Sequence, residues 1–243
     1  MCGRYELHTH PAAIALVFGL SSPPPLKPRY NIAPMQPVAI VRENSAGERV
    51  LTEMRWGLVP RWTKDPSIGA QLINARGEGI ADKPAFKFPF ERHRCLLPAD
   101  GFYEWKVAKS GKQPYLVASK SGLPLALAGL YERWLGPDGE VLDTCTVITT
   151  GANDLLRGVH DRMPVIIAPQ QYARWLDRTT STVTDLIAPY PSEALYAHPV
   201  STRVNAVKND DATLLERVDE APIDEGPEPV PDEDLVPEQE SLF

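Results

Sequence analysis

The sequence predicts an α+β fold: a single domain on a mainly antiparallel, partly closed sheet, with short flanking helices. Three observations lead there. Strand-like stretches dominate from Val38 onward, helix-like stretches are short and scattered, and nothing shows the strand–helix–strand alternation of a parallel sheet. No internal repeat occurs. The 243 residues are 43% hydrophobic, enough for one large core or two small ones.

The elements follow in order. Thr9 to Leu20 reads as a short helix, capped by Thr9 or His10, with Pro11 in its first turn and Gly19 at its end. Ser21 to Pro28 is a proline-rich, extended connector. The loop Tyr30-Asn31-Ile32-Ala33-Pro34 leads into a strand from Val38 to Arg42. After a turn at Asn44 to Glu48, Arg49 to Trp56 alternates as a strand with Val50, Thr52, Met54 and Trp56 on one face. Gly57 to Trp62 is loop, and Thr63 to Pro66 a turn. Leu72 to Arg76 is a short apolar approach to polar residues, and Pro84 to Phe90 carries three aromatic rings. Arg94 to Leu97 and Phe102 to Val107 are strands separated by Pro98 to Gly101. Gln113 to Ala118, Leu125 to Trp134 and Leu142 to Thr149 are further strands, with turns at Ser121 to Pro124 and Gly136 to Gly139. A short helix begins at Asp154, a brief strand covers Val165 to Ala168, and helices cover Gln170 to Leu176 and Thr182 to Ile187, the latter capped by Ser181. Tyr196 to Val200 is the last strand.

Net charge is −7, but unevenly spread. Residues 216–243 hold 11 acidic residues and one basic, a net of −10, which leaves residues 1–215 at +3. The body can therefore meet phosphates despite the acidic whole-chain balance. The folded domain is expected over residues 2–218 and a disordered, acidic, proline-rich tail over 219–243. The tail reads as a solubilising extension, a screen for the body's cationic groove, or the contact for a protein partner. No apolar run approaches the ~20 residues of a membrane span, and no secretory leader is evident. Cys2, Cys95 and Cys145 are odd in number and widely spaced, which fits a reducing cytoplasm rather than a disulfide framework. The five histidines lack zinc spacing. His8 and His10 could share a strand face, but no third ligand is evident, and neither metal nor cofactor is expected.

Met1-Cys2-Gly3-Arg4-Tyr5 is the stretch richest in chemistry. Removal of Met1, expected before so small a second residue, would leave an α-amine and a thiol on adjacent carbons. Their reference pKa values are about 7.7–8.0 and about 8.5, so both are partly nucleophilic near neutrality. Such an aminothiol can trap an aldehyde as an imine and close on it as a five-membered thiazolidine. The bland alternative is a small residue on a tucked-in first strand. Glu104, between Tyr103 and Trp105, could be a proton shuttle if desolvated, or a strand-surface carboxylate paired to Lys106 or an arginine. His160 could act in acid–base chemistry or be an ordinary hydrogen-bonding loop histidine. Asn74 could orient an amine or an oxyanion, or simply form a turn. Arg4, Arg76 and Arg162 are candidate phosphate clamps, each also open to a surface ion-pair reading. Core packing is the default for Trp56 and Trp105. Trp62, in a loop with Arg61 and Lys64, reads as a binding wedge able to stack on a base.

Taken together, the chain resembles the SRAP (SOS response associated peptidase) family, whose members shield abasic sites. The resemblance is carried by Met1 to Tyr5, Tyr30 to Pro34, Arg55-Trp56-Gly57-Leu58-Val59-Pro60 and Asn74-Ala75-Arg76-Gly77-Glu78. Arg94 to Trp105, Ala128-Gly129-Leu130-Tyr131 and His160-Asp161-Arg162-Met163-Pro164 complete it, and together the pieces cover about residues 2 to 207. It implies a barrel-like sheet with one positive groove and a single-stranded DNA partner containing an abasic site. It implies Cys2 as the nucleophile, Asn74 positioning the amine or sugar, Glu104 moving protons, and His160 assisting ring opening and slow reversal. Arg4, Arg76 and Arg162 would contact phosphates, Trp62 would stack near the lesion, and Thr149 or Thr150 would line the groove. Self-removal of Met1 is implied rather than general proteolysis. A cytoplasmic monomer is expected. Two rivals stand: an N-terminal-nucleophile amidotransferase, which needs layered αββα order and usually a synthase domain, and a non-covalent single-stranded DNA-binding module with a passive Cys2.

Overall fold

The structure, a computed structural model, describes residues 2–108, 111–180 and 183–219. Twelve strands are placed among them: β1 (Tyr5–Leu7), β2 (Arg29–Ile32), β3 (Pro37–Glu43), β4 (Arg49–Trp56), β5 (Asn74–Arg76), β6 (Arg94–Ala99), β7 (Gly101–Ala108), β8 (Gly111–Ser119), β9 (Leu125–Leu135), β10 (Val141–Gly151), β11 (Arg162–Pro164) and β12 (Leu195–Pro199). The α-helices are short: α1 (Pro11–Phe18), α2 (Lys87–Arg92) and α3 (Tyr172–Leu176).

Five strands close into a ring. β4 pairs β3, β3 pairs β6, β6 pairs β9 and β9 pairs β10, all antiparallel, and the parallel β10–β4 pairing completes the circuit. Closure leaves these strands few free edges. A second, open antiparallel sheet runs β12-β8-β7-β1-β2. The expected α+β fold with a barrel-like sheet is what the chain adopts. The main core gathers barrel and flanking residues, including Trp56, Cys95, Leu96, Cys145 and Val147, all fully buried. Tyr5 of the second sheet packs edge-on against Trp56 at 5.4 Å between ring centroids, joining the two sheets.

β10 is the strand that positions the site. Along its first half it is flanked by β9 and β4, with Cys145 paired to Trp56. β4 then ends and Gly57 turns the chain away. Gly57 has φ +139°, and a Cβ there would meet the Gly69 carbonyl oxygen at 2.7 Å, so only glycine fits. β5 takes the vacated flank, setting Asn74 beside Val147 and Arg76 beside Thr149. On the other side β11 replaces β9 and sets Arg162 beside Gly151. Asn74, Arg76, Thr149, Thr150 and Arg162 thus converge at one end of one strand.

Several local expectations change. His10 does cap α1, accepting from Ala12 N–H at 3.2 Å, and Gly19 ends it in the left-handed region. That cap role takes His10 off any strand face shared with His8. The loop at Tyr30 to Ile32 is strand β2, and the aromatic stretch after Pro84 contains α2. No helix forms at Asp154; the Asn153 side chain instead accepts from Leu156 N–H and closes a turn. The strand placed at Val165 to Ala168 begins earlier, as β11, and continues only as a bridge from Ile166 to Leu127. The helix at Thr182 to Ile187 is a single 3₁₀ turn, Thr184–Leu186, while Ser181 and Thr182 lie outside the described residues. So does residue 220 onward, and with it nearly all of the acidic tail. No helix among the described residues is long and apolar enough to cross a membrane.

Candidate functional site

Cys2 precedes β1 and is fully buried. Burial holds its thiol far above the ordinary range, and the Glu104 carboxylate pushes in the same direction, while the positive chain terminus pulls the other way. The sulfur is therefore stored as a thiol and needs a nearby base to become a nucleophile. Asn74 reaches it from β5: Nδ2 donates to the Cys2 carbonyl oxygen at 2.8 Å. The other amide atom, Asn74 Oδ1, is buried without a hydrogen-bond partner among the described residues.

Glu104 on β7 is 1% exposed. Burial pushes its carboxyl up to about 7, against the attraction of the amino-terminal charge. That value lets one group both give and take a proton near neutral pH. His160 follows a run of turns after β10. Its Nδ1 accepts from Arg162 N–H at 3.0 Å and lies 2.9 Å from the Asp161 carboxylate. Burial and the amino-terminal charge lower its pKa, with Asp161 opposing.

Glu104 and His160 line one cavity of about 410 Å³ together with Arg4, Trp105, Val107, Lys112 and Asn205. Arg4 is braced rather than free. Its Nη1 donates to Asn31 Oδ1 at 2.7 Å and to the Val204 carbonyl at 2.8 Å, and its guanidinium lies 6.0 Å from the Trp105 ring centroid. Asn31 is itself 1% exposed, and its Nδ2 donates to the carbonyls of Val204, Ala206 and Asn209. Trp105 Nε1 donates to Asn205 Oδ1 at 2.8 Å, which fixes the indole as a cavity wall. Core packing is therefore correct for Trp56 and holds in part for half-buried Trp105, which packs against the cluster of Tyr103, Leu116 and Val204 and also borders the cavity. The sequence reading also passed over Lys112 and Asn205. A hairpin register was the available signal for Lys112, since it sits opposite Val107 where β7 meets β8.

Arg162 makes a two-pronged pair with Glu78, at 2.6 and 2.9 Å, and also donates to the Thr149 carbonyl at 2.8 Å. The guanidinium holds Glu78 down at about 2. Arg76 is exposed, and its guanidinium makes no hydrogen bond or ion pair among the described residues. Thr149 and Thr150 are buried, and Thr149 acts through its carbonyl, which receives both Arg162 and Gly77 N–H. Trp62 is 61% exposed. Beside it, Arg61 pairs with Glu132 and lies 3.5 Å over the Phe88 ring.

A third ligand does exist near His8. Glu6, His8 and Asp100 place ligand atoms within 4.8 Å of one another. Asp100 there accepts from the N–H groups of His8 and Thr9 and from the Thr9 hydroxyl, while Glu6 pairs with the His8 ring at 2.6 Å. These bonds account for the cluster as a brace for the turn after β1.

The sequence profile of the SOS response associated peptidase (SRAP) family matches residues 1–207. The chain is 40% identical over 223 residues to the abasic site processing protein YoqW of Bacillus subtilis, covering 89% of this chain and 99% of that one. It is 42% identical to the abasic site processing protein YoaM of the same organism, over 89% of this chain and 98% of that one. The chicken abasic site processing protein HMCES is 35% identical, over 78% of this chain and 66% of its own length. A crystal structure of a Bacteroides thetaiotaomicron protein superimposes with a TM-score of 0.80 at 26% identity, covering 89% of this chain and all of that one. The chain belongs to the SOS response associated peptidase family.

Proposed function

We propose that this protein processes abasic sites in single-stranded DNA by forming a covalent thiazolidine through Cys2 once Met1 is removed. The observation that carries the reading is the Asn74 bond to the Cys2 carbonyl, with Glu104 and His160 on the wall of the adjoining cavity. The names of the relatives support it: YoqW, YoaM and HMCES are each an abasic site processing protein.

The steps balance. The ring-opened sugar offers an aldehyde. The α-amine of Cys2 adds to it and loses water to give an imine. Glu104, near pKa 7, gives a proton to the hydroxyl as it departs, which leaves the imine nitrogen protonated. The thiol then adds across the C=N bond: its sulfur bonds to carbon, its proton restores Glu104, and the nitrogen keeps its own. His160, neutral at working pH, takes the anomeric hydroxyl proton as the sugar ring C–O bond breaks and returns it as imidazolium to the ring oxygen; the reverse transfers support slow reversal. Asn74 holds the Cys2 backbone so that amine and sulfur face the same carbon. Arg4, Arg76 and Arg162 hold phosphates, Trp62 stacks on a base beside the lesion, and Thr149 fixes Arg162. An abasic sugar has no base edge to read, so charge, lost stacking and the aldehyde itself supply recognition, and no cofactor takes part. Self-removal of Met1 uses the same groups, and the protein acts as a monomer in the cytoplasm. The barrel does not have the αββα layers an amidotransferase requires.

The test is incubation with single-stranded DNA carrying one abasic site. A heat-resistant shifted band is expected with the processed protein and none with intact, undamaged DNA. A reversible shift alone, equal for damaged and undamaged strands, would favour the non-covalent binding module instead.

A further inference from the structure

Asn31 takes no part in the crosslinking steps, yet its polar side chain is buried, at 1% exposed. Its neighbour Ile32 on β2 joins the main core, so Asn31 faces the other way along the strand. There it meets the 3₁₀ turn Thr202–Asn205 and the residues after it. Such a turn leaves its last carbonyls without partners inside the turn. Asn31 supplies them: Nδ2 donates to the carbonyls of Val204 at 3.1 Å, Ala206 at 3.2 Å and Asn209 at 2.7 Å. Its Oδ1 accepts from Arg4 Nη1 at 2.7 Å, and the same nitrogen donates to the Val204 carbonyl at 2.8 Å.

One amide thus joins two walls of the cavity. On one side it fixes the Arg4 guanidinium. On the other it fixes the turn that ends in Asn205, whose Oδ1 accepts from Trp105 Nε1 at 2.8 Å. Arg4, Trp105 and Asn205 all line the cavity, and Asn31 does not. Other bonds tie β2 and β7 to their surroundings beside it. Tyr30 N–H donates to Asp210, and the Tyr103 hydroxyl donates to the Tyr30 carbonyl at 2.8 Å. These bonds remain when Asn31 is truncated.

We infer that Asn31 is a positioning residue that sets Arg4 and Trp105 in place for the DNA strand before the strand arrives. Its effect on capture rests on the cavity being the DNA site; its hold on the two side chains does not. Without Asn31, Arg4 keeps one acceptor of two, and the turn carrying Asn205 loses its tie to β2. Both groups must then be ordered at the moment of binding, at a cost to affinity. The Asn74 bond to Cys2 and the Glu104 carboxyl lie outside this network. The loss therefore falls on strand capture and spares the chemical step.

The experiment uses the full chain labelled with 5-fluorotryptophan, its Trp105 fluorine signal assigned with Trp105→Phe. In Asn31→Ala the Trp105 signal should move or broaden, while those of fully buried Trp56 and Trp175 stay in place. In single-turnover crosslinking, the half-saturating concentration of an abasic strand should rise about fivefold. The rate at saturation should stay within about twofold. In an Arg4→Ala background the same change should cost clearly less, because the two residues act on one contact. An unmoved Trp105 signal, a fall in the saturated rate alone, or losses that multiply with those of Arg4→Ala would each overturn the inference. Asn205→Ala, at an exposed position, tests the last link should alanine at position 31 prevent folding. It should move the Trp105 signal and raise half-saturation about threefold; no change in either would break the path from Asn31 to the indole. If the wild-type protein captures no strand, the DNA reading fails and the fluorine spectra alone decide whether Asn31 sets the indole.

Discussion

Asn74 Nδ2 and the carbonyl oxygen of Cys2 lie 2.8 Å apart, although 72 residues separate them in sequence. This one bond ties the chain start to the strand that replaces β4 beside β10. Asn74→Ala should therefore loosen the nucleophile without touching phosphate contacts. Crosslinking to an abasic strand should slow on the order of 100-fold, while equilibrium binding of an undamaged strand changes about twofold at most. Single-turnover rates set beside binding curves separate the two, and a matched loss in both would assign Asn74 to DNA binding.

Glu104 gives a stability prediction with a definite sign. Its folded carboxyl sits at about 7, above the ordinary 4.5. At pH 4 both folded and unfolded chains hold the proton, so Glu104→Gln is neutral there. Between pH 4.5 and 7 the unfolded chain ionises while the folded one keeps its proton, and the wild type loses stability. Above pH 7 the variant should be more stable by up to about 3 kcal/mol. Thermal melts at pH 4 and pH 8 check this. The same variant should crosslink slowly at every pH, because the amide cannot relay a proton.

The arginines should separate in their response to salt. Arg76 is exposed and partnerless among the described residues, so Arg76→Ala should weaken strand binding and reduce the salt slope by about 0.7. Arg162 is occupied by Glu78. Glu78→Gln should release it and tighten binding roughly three- to tenfold at low salt. Titrations at several salt concentrations measure both, and weaker binding by the Glu78 variant would show that the ion pair serves only to hold β11.

Trp62 is 61% exposed, so truncation costs the fold little. Trp62→Ala should leave the melting temperature unchanged and cost about 1–3 kcal/mol of strand affinity, the value of one base–aromatic stack. An unchanged affinity would remove the wedge role.

How much of this was legible in the sequence depended on range. Alternation at Arg49 to Trp56 and the cap, proline and glycine around α1 are local signals, and they marked real elements. The three-residue strands β5 and β11 were not readable as strands, because their pairing partners are distant and no period fits in three residues, and β1 was offered only as the bland alternative for Cys2. Asn74 and Arg162 were picked out for their chemistry, yet only the partner switch along β10 shows why they adjoin. Trp105 does pack on a core cluster, but alternation in β7 does not show that it also borders a cavity. Lys112 and Asn205 gave no local signal, since they reach the site through the β7–β8 register and a 3₁₀ turn. The pairing of Glu78 with Arg162 spans 84 residues and was equally invisible.

The most direct measurement is the mass and map of the adduct formed with an abasic oligonucleotide, without any reductant. The adduct should weigh the sum of the DNA and the protein lacking Met1, less one water, and its crosslinked peptide should begin at Cys2. Cys2→Ala should give a stable adduct only after borohydride trapping of its imine. A heat-stable adduct on Cys2→Ala without reduction, or one that still carries Met1, would contradict the account.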